Sequence, residues 1–211
     1  MSKFEYACFL SYRNGRHEQA RLNTFTKILA EEIKNAVDAY LPDSSVQDDQ
    51  ERIVFLDQDI FKNYDFDPKA LGKGLCNSIC WIVLYTRNYF GGSLWCASEY
   101  HGMLALEKKR LKKLGLKKNP DSGFIAPILL TGDHEEMPQD MRNRTRHLFD
   151  FRKLFLRKTF ENDDDFTDKL TAILDNIGRV HKVALAKKTD LCHNCKDFKL
   201  VDVRTKVEMI K

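Results

Sequence analysis

Long apolar runs are missing from this chain, and so are the residues that make chains loose. No stretch approaches the ~20 consecutive apolar positions of a membrane-spanning helix, and the N-terminus, MSKFEYACFL, lacks the apolar centre of a secretory leader. Only 10 Gly and 5 Pro in 211 residues leave little for flexible tracts, which excludes disorder on a large scale. Charge of one sign is scarce too: 35 Lys and Arg against 31 Asp and Glu give a net +4. So small a surplus gives no ground for a nucleic-acid or membrane partner, and neither is expected. The P-loop pattern is absent, since Gly72-Lys73-Gly74 is too short and no Ser or Thr follows where one is needed. Six cysteines are scattered along the chain, and with no leader the expectation is free thiols in a reducing compartment, the cytoplasm.

What is present is an alternation of two periodicities, in a chain long enough for one well-cored domain. Tyr6 to Leu10 is a short apolar run stopped by Ser11-Tyr12-Arg13-Asn14-Gly15, the mark of a buried strand. From about Arg16 to Tyr40, apolar residues recur at three- and four-residue steps, as in an amphipathic helix. Ile53 to Leu56 reads as a second strand, followed by an aromatic-studded loop to Asp67 and a helix opened by Pro68, with Asp67 as its N-cap. Ile79 to Tyr85 is apolar at successive positions, as in a central strand covered on both faces. A helix over about 93–114, a strand over 124–130, a short strand near 148–151 and a helix over about 163–187 follow. Pro127 argues mildly against a central place for the 124–130 strand. Strands alternating with helices predict an open, mostly parallel sheet with helices on both faces, flavodoxin-like, with ligand sites at the strand C-termini. Phe198 to Ile210 alternates loosely enough to add a strand.

Several conspicuous features carry less. The run EKKRLKKLGLKK (107–118) and the cluster Arg142, Arg144, Arg146, Arg152, Lys153, Arg157 and Lys158 read first as solvated surface, and second as contacts for phosphates or an acidic partner. Cys192-His193-Asn194-Cys195 is a single C-x-x-C, read as exposed thiols or as half of a metal site completed by a second chain. Cys96 reads as core packing. A phospho-receiver would need an Asp at the end of the central strand, where Tyr85-Thr86 stands instead.

Three segments occupy strand C-termini: Ser11 to Gly15, Asp57 to Asp67, and Ser93 to Glu99. On the last, Trp95 and Glu99 are four apart and share a helix face with Gly102 and Leu106. A carboxylate in such a stripe is either a marginal residue paired with Arg13 or Lys73, or a working group. His101 lies on another face.

These residues resemble a known family. YACFLSYRNG is similar to the box that opens TIR (Toll/interleukin-1 receptor) domains. Residues 53–100 resemble the rest of the TIR core: strand, BB loop, helix, strand, and a small-x-Trp-Cys-x-x-Glu motif formed here by Ser93, Trp95, Cys96 and Glu99. The resemblance runs from about Phe4 to Arg179 and implies a five-stranded TIR domain over 4–183 with a short extension over 184–211. It further implies cleavage of NAD, as substrate rather than cofactor, at the nicotinamide–ribose bond, with no metal. Glu99 would be the catalytic carboxylate. Ser11, Arg13, Asp59, Phe66 and Trp95 would contact substrate, with Phe61 in reserve for Phe66. The chemistry is coherent: nicotinamide leaves as a neutral group, so the barrier lies in an oxocarbenium-like ribose that one carboxylate stabilises. The acceptor then decides between ADP-ribose and a cyclic or conjugated product. Stand-alone bacterial TIR proteins of antiphage defence, such as those of Thoeris systems, have this architecture, and there a separate effector reads the product. The alternatives are a non-catalytic module assembling through TIR–TIR contacts, with Phe61, Tyr64 and Phe66 as contact aromatics, and a secreted virulence factor.

Overall fold

The computed structural model describes residues 4–13, 19–41, 54–56, 68–91, 94–117, 122–186, 191, 195, 198 and 200. Strands β1 (Tyr6–Tyr12), β2 (Val54–Leu56), β3 (Ser78–Tyr85), β4 (Ile125–Leu129) and β5 (Phe149–Asp150) form one parallel sheet in the order β2-β1-β3-β4-β5. Between them run helices α1 (Gln19–Ala36), α2 (Pro68–Asn77), α3 (Leu94–Lys113) and α4 (Gln139–Arg142), and after β5 come α5 (Arg152–Phe155) and α6 (Asp164–Ala186). This is the open α/β sheet read from the alternation, and its strand order reverses at β1/β3.

The two faces sort by the two-residue period of the strands. Cys8, Leu10, Cys80, Ile82, Leu84, Ala126 and Ile128 enter one core with Phe25, Leu29 and Ile33 of α1 and Phe166, Ile173 and Ile177 of α6. Phe9, Trp81, Val83, Ile125 and Leu129 enter the other with Leu71 and Leu75 of α2 and Tyr100, Met103 and Leu106 of α3. Phe9 of β1 therefore looks at α2 and α3, and the same side is taken two residues on by Ser11.

Four expectations are corrected. Pro127 is in an internal strand, paired with Val83. The reason it is tolerated is local: Leu130 N donates to Tyr85 O, so even-numbered positions of this segment donate toward β3 and Pro127 faces β5. The β5 ladder begins only at Ile128, so no hydrogen bond is lost. Second, the basic runs are not wholly solvated. Arg110 is 1% exposed and donates to the carbonyls of Cys76, Ser78 and Ile79, while Trp81, Phe124 and Phe4 pack against its guanidinium. Arg144, 2% exposed, forms a two-armed ion pair with Glu107. Third, free thiols are expected throughout, yet Cys76 of α2 is disulfide-bonded to Cys195, 119 positions away, while Cys8, Cys80 and Cys96 are buried outside any disulfide among the described residues. This also removes Cys195 from the exposed-thiol and shared-metal readings of C-x-x-C. Fourth, the strand expected from Phe198 does not begin there: Phe198 and Leu200 lie outside any strand and pack against the α2/α3 core, while Lys199 and 201–211, with the rest of that reading, fall outside the described residues.

The remaining strand and helix readings hold in outline where their residues are described. Helix α6 opens on Asp164 and Asp165, where the helix N-terminus favours negative charge, and runs without a break past 183. Pro68 is the first residue of α2; its expected N-cap, Asp67, lies outside the described residues, as does Cys192. Among the described residues no helix is long and apolar enough to cross a membrane.

Candidate active site

The site grows out of strand parity. Ser11 is the odd-numbered residue nearest the C-terminal end of β1, so its hydroxyl turns toward α3 while its neighbours Leu10 and Tyr12 enter the opposite core. Helices in such a sheet run back against the strands, which brings the first turns of α3 over the strand ends. There the inward positions of α3 are Cys96, Glu99, Tyr100, Met103 and Leu106, a 3.6-residue stripe with a carboxylate in it. Glu99 is 2% exposed, and its Oε2 accepts a 2.5 Å hydrogen bond from Ser11 Oγ.

A third group completes the cluster. Tyr89, in the loop after β3, is fully buried with its hydroxyl 2.5 Å from Ser11 Oγ. Ser11 has one O–H, given to Glu99, so Tyr89 donates to Ser11: a chain from phenol to hydroxyl to carboxylate. Burial pushes the Tyr89 phenol well above its ordinary range, and the nearby Cys96 thiol and Glu99 add to this, so it keeps the proton it donates. Tyr89 was not singled out in the sequence; its place just past the most apolar strand, where sites of such sheets lie, was the available signal.

The other candidates separate. Arg13 Nη1 donates to the carbonyl of Asn88 at 2.8 Å, tying the end of β1 to the loop that carries Tyr89. Lys73 pairs with Glu5, 3.5 Å away. Both cations thus take partners other than the Glu99 pairing considered from spacing. Trp95 shares the helix side of Glu99 but is 42% exposed, because it stands a turn further out, beyond the strand ends. The stripe is buried at Glu99, Gly102 and Leu106 and reaches the surface at the indole. Asp59 and Phe66, with Phe61 and Tyr64, lie outside the described residues.

On the far side of the same loop and helix is a cavity of about 710 Å³ lined by Tyr85, Phe90, Tyr100, His101, Leu104 and Arg142 among others. Phe90 stands edge-on to Tyr89 at 4.8 Å and to Tyr100 at 5.7 Å, so neighbouring residues of one loop serve the carboxylate cluster and the cavity wall. The buried Nε2 of His101 and Nε of Arg142 have no hydrogen-bond partner among the described residues. The volume is in the range of small-molecule sites. Among the described residues no group of three or more His, Cys, Asp or Glu side chains is placed to hold a metal ion.

Chemically, the cluster is a carboxylate withdrawn from water and oriented by neutral hydroxyls at the strand-order reversal, where open parallel sheets bind ligands. Such a sheet is compatible with nucleotide-binding and hydrolytic enzymes in general. Set against family models, curated proteins and solved structures, the chain matches none.

Proposed function

We propose that this chain is a TIR-type enzyme that consumes NAD, breaking the nicotinamide–ribose bond, with Glu99 as its catalytic carboxylate. The observation that carries the reading is Glu99 itself: buried in an otherwise apolar stripe, held by Ser11, at the strand ends between β1 and β3. As nicotinamide departs, positive charge grows on the ribose, and a carboxylate already oriented stabilises it without reorganising. Ser11 orients Glu99. Exposed Trp95 offers a flat face at the rim, and Asp59 and Phe66 enter as expected substrate contacts on the TIR resemblance alone. Water as acceptor gives ADP-ribose; a nucleophile of the same molecule gives a cyclic isomer, and another nucleophile a conjugate. The cellular setting that the TIR resemblance suggests is cytoplasmic antiphage defence, with self-association for activation and a separate effector reading the product.

The test is incubation with NAD at high protein concentration and mass spectrometry of the products, with Glu99→Gln alongside. Nicotinamide release by wild type and its loss in a folded variant are expected. Equal release by both would remove Glu99 from the chemistry. One observation favours a second reading, a non-catalytic assembly module: Glu99 is covered here, while the exposed large apolar group beside it is Trp95. An inert wild type that nevertheless oligomerises, and ceases to on Trp95→Ala, would establish that reading.

A further inference from the structure

Four described residues of the C-terminal segment, Leu191, Cys195, Phe198 and Leu200, meet the domain. Leu191 and Cys195 are buried, Cys195 by its bond to Cys76 at the end of α2. Phe198 and Leu200 then pack against the α2/α3 core, and Phe198 N returns a hydrogen bond to Cys195 O. The helices are shaped to receive them. A Cβ added at Gly72 of α2 would stand 2.6 Å from the Phe198 carbonyl oxygen, and one added at Gly102 of α3 would stand 2.8 Å from Leu200 Cδ2. Two helices thus each present a glycine where the segment crosses, so the seat is specific to a chain lying this close. Gly102 is three positions from Glu99, on the helix that carries it.

We propose that Cys76–Cys195 is a thiol–disulfide exchange site, and that the bond latches Leu191, Cys195, Phe198 and Leu200 onto the α2/α3 core. The chemical partner is a dithiol. One of its thiolates attacks a sulfur of the pair, forming a mixed disulfide and expelling the other sulfur as a thiolate that takes up a proton. The second thiol then displaces the remaining cysteine. Two electrons and two protons pass to the protein, which ends with two thiols, while the dithiol ends as a disulfide. Both sulfurs are covered, Cys76 at 3% and Cys195 at 5% exposure, so exchange follows local lifting of the segment and its rate reports how often that happens. Disulfides that meet a reducing thiol pool are characteristically transient and regulatory, the behaviour of a latch. The inference is independent of what Glu99 does.

The test is hydrogen exchange read by mass spectrometry on the full chain, oxidised, treated with dithiothreitol and reoxidised, with Cys195→Ser as a permanently open form. Peptide mapping without reductant should recover the Cys76–Cys195 crosslink. Reduction should speed exchange about tenfold or more in residues 68–77 and 98–106 while β1, β3 and β4 keep their protection. Reoxidation should restore the slow pattern, and Cys195→Ser should match the reduced wild type. Unchanged exchange on reduction, or no crosslinked peptide, overturns the latch. Loss of protection across β1, β3 and β4 also overturns it, by showing that the bond clips the whole fold rather than the segment.

Discussion

Glu99 and Glu107 are both buried on the inward face of α3, about two turns apart, yet they are held in opposite ways. Glu107 meets a full opposite charge: Arg144 grips it through two nitrogens at 2.7 and 2.8 Å, and Ser122 adds a 2.5 Å hydrogen bond. Burial works against the charge of Arg144, but the hydrogen bonds and charge of Glu107 outweigh it and raise its pKa. Glu99 is held instead by the neutral hydroxyl of Ser11, itself fed by Tyr89. A carboxylate with a matched cation is fixed and chemically quiet. One oriented by a serine hydroxyl at the ligand face of the sheet stands where a bound molecule would meet it. The same helix thus carries a structural glutamate where it crosses the core and a candidate working glutamate where it overhangs the strand ends.

The comparison breaks most visibly at Arg144. Arg144→Ala leaves the Glu107 charge buried without its partner and should cost about 3–5 kcal/mol, seen as a lower denaturant midpoint with an unchanged slope. Glu99→Gln retains an oxygen to accept from Ser11 and should change stability by no more than about 1.5 kcal/mol, while nicotinamide release falls on the order of 100- to 1000-fold. If Glu99→Gln unfolded as readily as Arg144→Ala, the two glutamates would be alike and the contrast would fail.

Both glutamates were visible in the sequence, but only one for the right reason. Spacing from Trp95 put Glu99 on an apolar stripe, and the TIR-like motif picked it out. The same period carries the stripe on through Met103 and Leu106 to Glu107 and Arg110, yet the density of charge there read as solvated surface. Burying them requires partners distant in sequence: Arg144 for Glu107, and the carbonyls of Cys76, Ser78 and Ile79, where α2 passes into β3, for Arg110. The order of strands and helices was legible because hydrophobic period is local. The Cys76–Cys195 link, the Tyr89–Ser11 contact and the place of Pro127 beside a two-residue β5 were not, since each depends on which segments become neighbours.

His181 on α6 sharpens the contrast from a third side. It is 0% exposed, and neither ring nitrogen has a partner among the described residues. Burial lowers its pKa below the ordinary 6.5. The unfolded chain therefore takes up the proton first as pH falls, so stability is constant above about pH 6.5 and declines below it. The slope is at most about 1.4 kcal/mol per pH unit. His181→Leu should remove that acid limb and raise stability at neutral pH by about 1 kcal/mol, since an unpaired polar group leaves the core. Chemical denaturation of both proteins between pH 5 and pH 8, as a range of about three units, checks it. Parallel curves would mean that this histidine takes up its proton at the same pH in the folded protein as in the unfolded chain, against the lowering that its burial predicts.

The smallest expected effect is also the closest to the site. Tyr89→Phe deletes the hydroxyl that donates to Ser11 but keeps the ring against Phe90 and Tyr85. Ser11 still donates to Glu99, so the carboxylate loses a support one bond removed rather than its own partner. The expected cost is about 0.5–1.5 kcal/mol of stability, with nicotinamide release reduced by about tenfold or less. A Tyr89→Phe protein as inactive as Glu99→Gln would move the phenol from support into the chemistry itself. Ser11→Ala separates the cases: it cuts the chain at its middle, so its activity should fall between those of the other two variants.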